Sequence, residues 1–309
     1  MITAVSLNPS IDRTVRVERL VSGKLNRALE SRDDPGGKGI NVALAAKRLG
    51  ATVNCIGILQ SGENAPHEDT LSREHVPHKF IYTAGAIRRN IKIVETSTGA
   101  LTEINQSGDP VERDALDAFI GLFHSRARES DFLALSGSLP VNCPVDFYKT
   151  LVELATENGR CCALDASGVP LKRGIEAKPF VIKPNRAELE ELAGRKLRSL
   201  ADIRSAAAEL SCGGDLIALV SLGSEGAIMA RGDEAWFAPA VAVSVKSTVG
   251  AGDAMLAGFL TGIDQGAGLI GAFRLSLAAA AACAATEGTQ PIGGDMARGL
   301  IGRVMIKKL

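Results

Sequence analysis

Short apolar runs that alternate with a period of two are interleaved with longer stretches whose apolar positions recur at helical spacing, along most of the chain. Runs of the first kind fall at Ile2–Asn8, Thr52–Leu59, Asp131–Leu135, Cys161–Asp165, Phe180–Ile182 and Leu216–Ser221. Several are apolar on both faces, as expected of parallel strands covered by helices on either side. The second kind predicts helices over Ile40–Leu49, Val111–Glu129, Val145–Asn158, Asn185–Ala193, Leu200–Leu210, Ala251–Ile263 and Ile270–Thr286. Ile40–Leu49 carries Lys47 and Arg48 in its last turn and stops at Gly50, where cations facing the helix dipole and a left-handed residue both favour termination. The fold class expected is α/β, with a mostly parallel central sheet and helices on both faces.

Two segments break this rhythm. Thr14–Leu20 alternates Val15 and Val17 with Arg16 and Glu18, and Asn90–Glu95 pairs with Leu101–Asn105 across the turn Thr96-Ser97-Thr98-Gly99. They read as antiparallel strands with one polar face, too few and too short to stand alone. A small β-sheet lid on the α/β body is therefore expected, its strands within residues 13–34 and 87–106, with an exposed edge suited to a homodimer. No repeat or low-complexity linker divides the chain, so residues 1–309 read as one domain.

Composition narrows the function classes. The 309 residues hold 35 basic and 35 acidic side chains, so no global field draws the chain to nucleic acid or to an anionic membrane, and neither partner is expected. The most apolar stretch, Leu275–Ala285, is about half the ~20 residues of a membrane span and reads as a buried helix. Met1–Pro9 lacks a basic leader, and the six cysteines show no CxxC spacing, which fits reduced thiols in a cytoplasm. His67, His75 and His78, beside Glu68 and Asp69, match no familiar metal spacing, and their segment is expected to be an exposed helix and turn.

The chemistry concentrates in glycine-rich turns. In Thr248-Val249-Gly250-Ala251-Gly252-Asp253, two glycines allow a tight turn whose amides converge at the positive end of an apolar helix. Asp253 would lie in the first turn beside that anion hole, placed to take a proton from an attacking hydroxyl; a plain helix-start acid is the competing reading. Pro35-Gly36-Gly37-Lys38-Gly39-Ile40-Asn41 similarly leads into a helix, with backbone free to approach a polar ligand and Asn41 able to bond hydroxyls. Neither is a Walker A loop. A dinucleotide fingerprint fails as well, since Met255 stands where its third glycine would be.

Gly36-Gly37-x-Gly39-x-Asn41, Lys183-Pro184-Asn185-x-x-Glu188, Ser221-Leu222-Gly223-x-x-Gly226 and Gly250-x-Gly252, in this order along the chain, resemble the PfkB branch of the ribokinase-like carbohydrate kinases. The resemblance extends from Asn8-Pro9-Ser10-Ile11-Asp12 through Leu135–Pro140 to Gly288-Thr289-Gln290-Pro291. Within the family the chain is most similar to phosphofructokinases acting on sugar phosphates, as Ile87–Ile93, Thr102–Asn105 and Glu191–Leu197 suggest. It departs from the usual pattern at Gln60–Asp69, where a Gly-x-x-Gly-x-x-x-Gly stretch is common, and at Val141-Asn142-Cys143-Pro144, which lacks Pro-x-Gly.

The resemblance implies a ribokinase-like fold and transfer of the ATP γ-phosphoryl group to a ketohexose phosphate, foremost fructose 1-phosphate; fructose 6-phosphate, tagatose 6-phosphate and a non-catalytic sugar-phosphate sensor stay open. It implies Asp253 as the base, with Gly250, Ala251 and Gly252 supplying the anion-hole amides. Asn185 and Glu188 would place Mg²⁺ at the nucleotide phosphates, with Lys183 at the same edge. Ser221, Gly223, Ser224 and Gly226 would line the nucleotide, and adenine would rest near the Ala278–Thr286 helix. For the sugar, Asp12, Gly37, Asn41 and Ser138 would bind hydroxyls. Lys24, Lys38 and Arg88 would meet the substrate phosphate, because a dianion under a lid needs paired cations.

Overall fold

The computed structural model describes residues 1–61, 66–211, 214–286 and 292–309. Gly62–Ala65 of the departing loop, Cys212 and the Gly288–Pro291 element lie outside the described residues. Ten strands form the large sheet: β1 (Ile2–Ser6), β4 (Val53–Gln60), β5 (His78–Thr83), β8 (Phe132–Ser136), β9 (Cys161–Asp165), β10 (Val181–Ile182), β11 (Ile217–Ser221), β12 (Ala227–Arg231), β13 (Glu234–Ala238) and β14 (Lys307–Lys308). Their order is β14-β13-β12-β11-β10-β9-β8-β1-β4-β5. Pairing is parallel from β11 across to β5 and antiparallel from β11 outward to β14.

Helices α1 (Lys38–Arg48), α2 (Pro66–Arg73), α3 (Arg113–Ala127), α4 (Phe147–Glu157), α5 (Gly168–Glu176), α6 (Arg186–Ala193), α7 (Leu200–Ser211), α8 (Ala251–Asp264), α9 (Gly268–Ala284) and α10 (Gly294–Leu300) cover this sheet. Two apolar cores result, one centred on α1, α8 and α9 and the other on α3, α4 and α7. Strand residues divide between them by alternation, so Ala4 faces the first core and Val5 the second. No described helix is long and apolar enough to cross a membrane; the apolar run at Leu275–Ala285 is the buried end of α9. The predicted core elements are present, with ends shifted by a few residues. The antiparallel extension β12–β13, edge strand β5 and helix α5 carry weaker patterns that the sequence reading passed over.

Strands β2 (Ser10–Val17), β3 (Glu30–Gly36), β6 (Arg88–Glu95) and β7 (Leu101–Ile104) form a separate sheet in the order β3-β2-β6-β7. β2 stops at Val17 rather than Leu20, and it pairs with β6 in parallel, not antiparallel as expected. The reason is that β2 continues from the end of β1 and β6 follows β5, and β1 and β5 run the same way in the large sheet. Leu29 and Leu25 leave the β2–β3 loop largely exposed.

Close backbone approach sets where α1 lies. A Cβ on Gly39 would stand 2.1 Å from the Val5 carbonyl oxygen, so only glycine lets α1 settle against β1. We expect Gly39→Ala to destabilise the protein by about 3 kcal/mol, as an over-packed core site does. Urea unfolding should show a lower midpoint with an unchanged slope; a midpoint equal to that of the parent would contradict this packing.

Candidate active site

The carboxyl ends of the parallel strands converge where the two sheets meet. β9 ends at Asp165, which is fully buried and faces two ammonium groups: Lys38 Nζ at 3.0 Å from Oδ1 and Lys183 Nζ at 3.3 Å from Oδ2. Lys183 follows β10 and Lys38 opens α1, so one carboxylate joins three elements. Burial alone would push the Asp165 carboxyl up; the fields of Lys183 and Lys38 outweigh it and hold the group below its ordinary value. Asp165 in turn raises Lys38 above the ordinary lysine value, with smaller contributions from Asp253 and Glu188.

Across this cluster stands the start of α8. Gly250 caps the helix at φ 79°, a left-handed conformation natural to glycine. The amides of Gly250, Gly252 and Asp253 donate to no acceptor among the described residues, whereas Ala251 N–H reaches the Thr248 carbonyl at 3.3 Å. Three undonated amides therefore mark the helix end. Asp253 sits there, 5% exposed, and its Oδ2 accepts a 2.8 Å hydrogen bond from Asn41 Nδ2. Burial pushes its carboxyl up to about 6, against the opposing field of Lys38.

The small sheet contributes a second acid. Asp12 on β2 accepts from Lys92 Nζ at 2.7 Å through Oδ2, and from Asn90 Nδ2 at 3.0 Å and Ser10 Oγ at 2.9 Å through Oδ1. Arg88, Asn90 and Lys92 alternate along one face of β6, and Asn90 and Lys92 are buried while Ile91 and Ile93 are not. The polar face of this strand thus turns inward. Arg88 donates to the Asn8 and Gln106 carbonyls, and burial lowers its guanidinium from the ordinary value. Asn8 ties the corner together, donating to Ser138 Oγ at 3.1 Å and to the Ser107 carbonyl at 3.1 Å. Gly37 precedes Lys38 as the α1 cap.

A third region opens beside α8. A cavity of about 580 Å³ runs between the Ser221–Gly226 turn, Asn185 and Gly252 at one end and the apolar side chains of Met255, Leu277 and Ala281 at the other. Asn185 and Glu188 are engaged with each other as a capping box: Glu188 N–H donates to Asn185 Oδ1 at 2.9 Å and Asn185 N–H to Glu188 Oε2 at 2.8 Å.

Most sequence-derived site residues therefore gather in one cleft. Lys24 does not join them: it lies in the exposed β2–β3 loop, and its ammonium has no partner among the described residues. Asp165 and Lys92 were missed. Their signals were an acid closing an apolar strand and a lysine spaced two residues from Asn90, both readable only once the strand ends are known to converge. Replacing Asp165 by Asn should lower stability by about 3–5 kcal/mol, since it leaves the buried Lys183 ammonium facing a neutral amide, whereas Lys38 keeps its contact with solvent. Chemical denaturation tests this, and a loss below 1 kcal/mol would show that Lys183 relaxes to solvent.

Comparison with known proteins follows the same lines. Residues 5–293 match the model of the pfkB family carbohydrate kinases. The 1-phosphofructokinase of Rhodobacter capsulatus is 38% identical over 285 residues, covering 90% of this chain and 88% of its own. That of Bacillus subtilis is 34% identical, covering 93% of each. Phosphofructokinase-2 from Escherichia coli, in complex with substrates and products, superposes with a TM-score of 0.89 at 27% identity, covering 98% of each chain. A match that takes in both sheets and every part of the cleft described above leaves one assignment: the chain belongs to the pfkB family of carbohydrate kinases.

Proposed function

We propose that this protein transfers the terminal phosphoryl group of ATP to fructose 1-phosphate, giving fructose 1,6-bisphosphate. The observation that carries the reading is a buried carboxylate, Asp253, held beside the undonated amides of a helix start. A base and an anion hole in one turn suit phosphoryl transfer, where positioning and charge stabilisation do most of the catalysis. Asp253 takes the proton of the attacking sugar hydroxyl while the Gly250, Gly252 and Asp253 amides hold the equatorial phosphoryl oxygens. The choice of acceptor follows the two curated relatives, both 1-phosphofructokinases.

Asp12, fixed by its three donors, presents its remaining lone pairs to sugar hydroxyls, with Asn41 and Ser138 on the body side. Lys38, Arg88 and Lys92 supply cations around a substrate phosphate. The nucleotide fits the long cavity, its adenine against Leu277 and Ala281 and its phosphates toward Gly252, beside which lies the Lys183 ammonium. Mg²⁺ fits this edge: Glu188 keeps one carboxylate oxygen outside its capping box, and this ion retains waters and binds through few carboxylates plus substrate phosphates. When bound it would neutralise charge building on the transferred group. The small sheet acts as the lid, excluding water from the cleft. Its edge strand β7 exposes Leu101 and Ile104, a surface that a second copy of the chain would cover in a dimer. The five described cysteines are all free, in keeping with a reducing cytoplasm.

An ADP-release assay with Mg-ATP against fructose 1-phosphate, fructose 6-phosphate, tagatose 6-phosphate and unphosphorylated sugars tests the acceptor. Fructose 1-phosphate should give the highest kcat/KM; preference for either 6-phosphate would replace it, and silence across the panel would point to a sensor. Asp253→Asn should lower kcat by about 10²- to 10⁴-fold with ATP binding retained; near-normal turnover would remove its role as base. Because Asp253 is raised to about 6, the base is ionised above that pH and lost below it. Sugar phosphates titrate in the same range, so carbon-labelled aspartate NMR of the free enzyme is the cleaner reading. A midpoint at the ordinary aspartate value would show that burial does not tune this group.

A further inference from the structure

The segment expected to be an exposed helix and turn is a helix with one exposed face, at Asp69, Ser72 and Arg73, but His67 lies on its buried face. Its side chain, near the start of α2, is fully buried, and its Nε2 lies 2.8 Å from the Ser10 carbonyl and 3.1 Å from the Gly36 carbonyl. Two carbonyl oxygens can only accept, so Nε2 carries the hydrogen and shares it between them. Nδ1 is buried without a partner among the described residues. Burial also lowers the affinity of the ring for a second proton, which keeps it neutral.

The two carbonyls belong to opposed residues. Ser10 begins β2 and Gly36 ends β3, and they are register partners at the point where the small sheet leaves the body. α2 packs against β3 and α1 on the body side. Ser10 also donates its hydroxyl to Asp12, and a Cβ on Gly36 would lie 2.7 Å from Asp12 Cγ. The next residue, Gly37, caps the helix that carries Lys38 and Asn41. One imidazole N–H thus fastens both strands at the root of the sugar side of the cleft, and its loss leaves two buried acceptors unmatched.

We propose that His67 is a positioning residue for the acceptor sugar, fixing Asp12 and the Gly36–Asn41 turn through its hydrogen bond to the Ser10 and Gly36 carbonyls. This rests on the kinase reading above, since the sugar is the ligand that those groups meet. The nucleotide cavity is lined by none of Ser10, Asp12, Gly36, Gly37, Lys38, Asn41 or His67. The effect therefore falls on one substrate.

Steady-state kinetics on folded variants test it. His67→Leu should raise KM for fructose 1-phosphate about tenfold, with KM for ATP within about twofold, and His67→Gln, which restores a donor at similar reach, should recover most of the loss. Unchanged KM for the sugar phosphate in His67→Leu, or equal rises for both substrates, would overturn the assignment in favour of simple core filling. Should the leucine variant fail to fold, nitrogen NMR of histidine-labelled parent protein decides: a hydrogen on Nε2 is expected, and one on Nδ1 would overturn the proposal. Absence of turnover by the parent with every sugar phosphate would refute the kinase reading instead, and the tautomer measurement would still report on the hydrogen bond.

Discussion

A carboxylate with no access to water must find positive charge, and Asp165 finds it twice. Its attraction to Lys183, itself buried, is strong because little solvent screens it, and desolvation makes that pairing obligatory rather than optional, while Lys38 reaches the carboxylate from the solvent side of the cleft. From that constraint the geometry of the cleft follows. α1 cannot slide along the sheet without exposing a buried charge, so Asn41, one turn farther on, stays within hydrogen-bond reach of Asp253. The same positive field keeps Asp253, itself buried, from being driven further up.

The parallel sheet explains why so many chain segments meet at one place. Each strand delivers its last residue to the same edge, and ligands of open α/β sheets sit outside those carboxyl ends. Asn8, Ser138, Asp165, Lys183 and Ser221 all lie within a few residues of such an end. The smaller sheet adds what the large one lacks, an inward polar face carrying Asp12, Asn90 and Lys92. Body and cover thus hold different halves of the chemistry.

Much of this was legible in the residues. The body strands were readable because burial on both faces leaves continuous apolar runs, and α8 and Asp253 because glycine turns followed by apolar helices have few alternatives. The glycine turn with an acid in the first turn of its helix needed no tertiary information. What stayed hidden is pairwise. Asp165 matters through lysines far away in sequence, and no local pattern says that three strand and helix ends coincide. The parallel pairing of β2 with β6 depends on which way β1 and β5 run. His67 looked like one polar residue among Glu68 and Asp69, yet packing against the root of the small sheet buries it. Likewise the spacing of Asn185 and Glu188 suits a helix cap as well as a ligand pair, and the cap is what their hydrogen bonds form.

The β2–β3 loop has both ends clamped side by side, since Arg16 and Glu30 are register partners. Closing a longer excursion between fixed ends adds little entropy, because that term grows only with the logarithm of length. The segment from Glu18 to Leu29 can therefore be lengthened, shortened or exchanged without moving Asp12. It is where descendants of this architecture can vary most freely, and where a reporter module could be grafted while the charges beneath it remain in place.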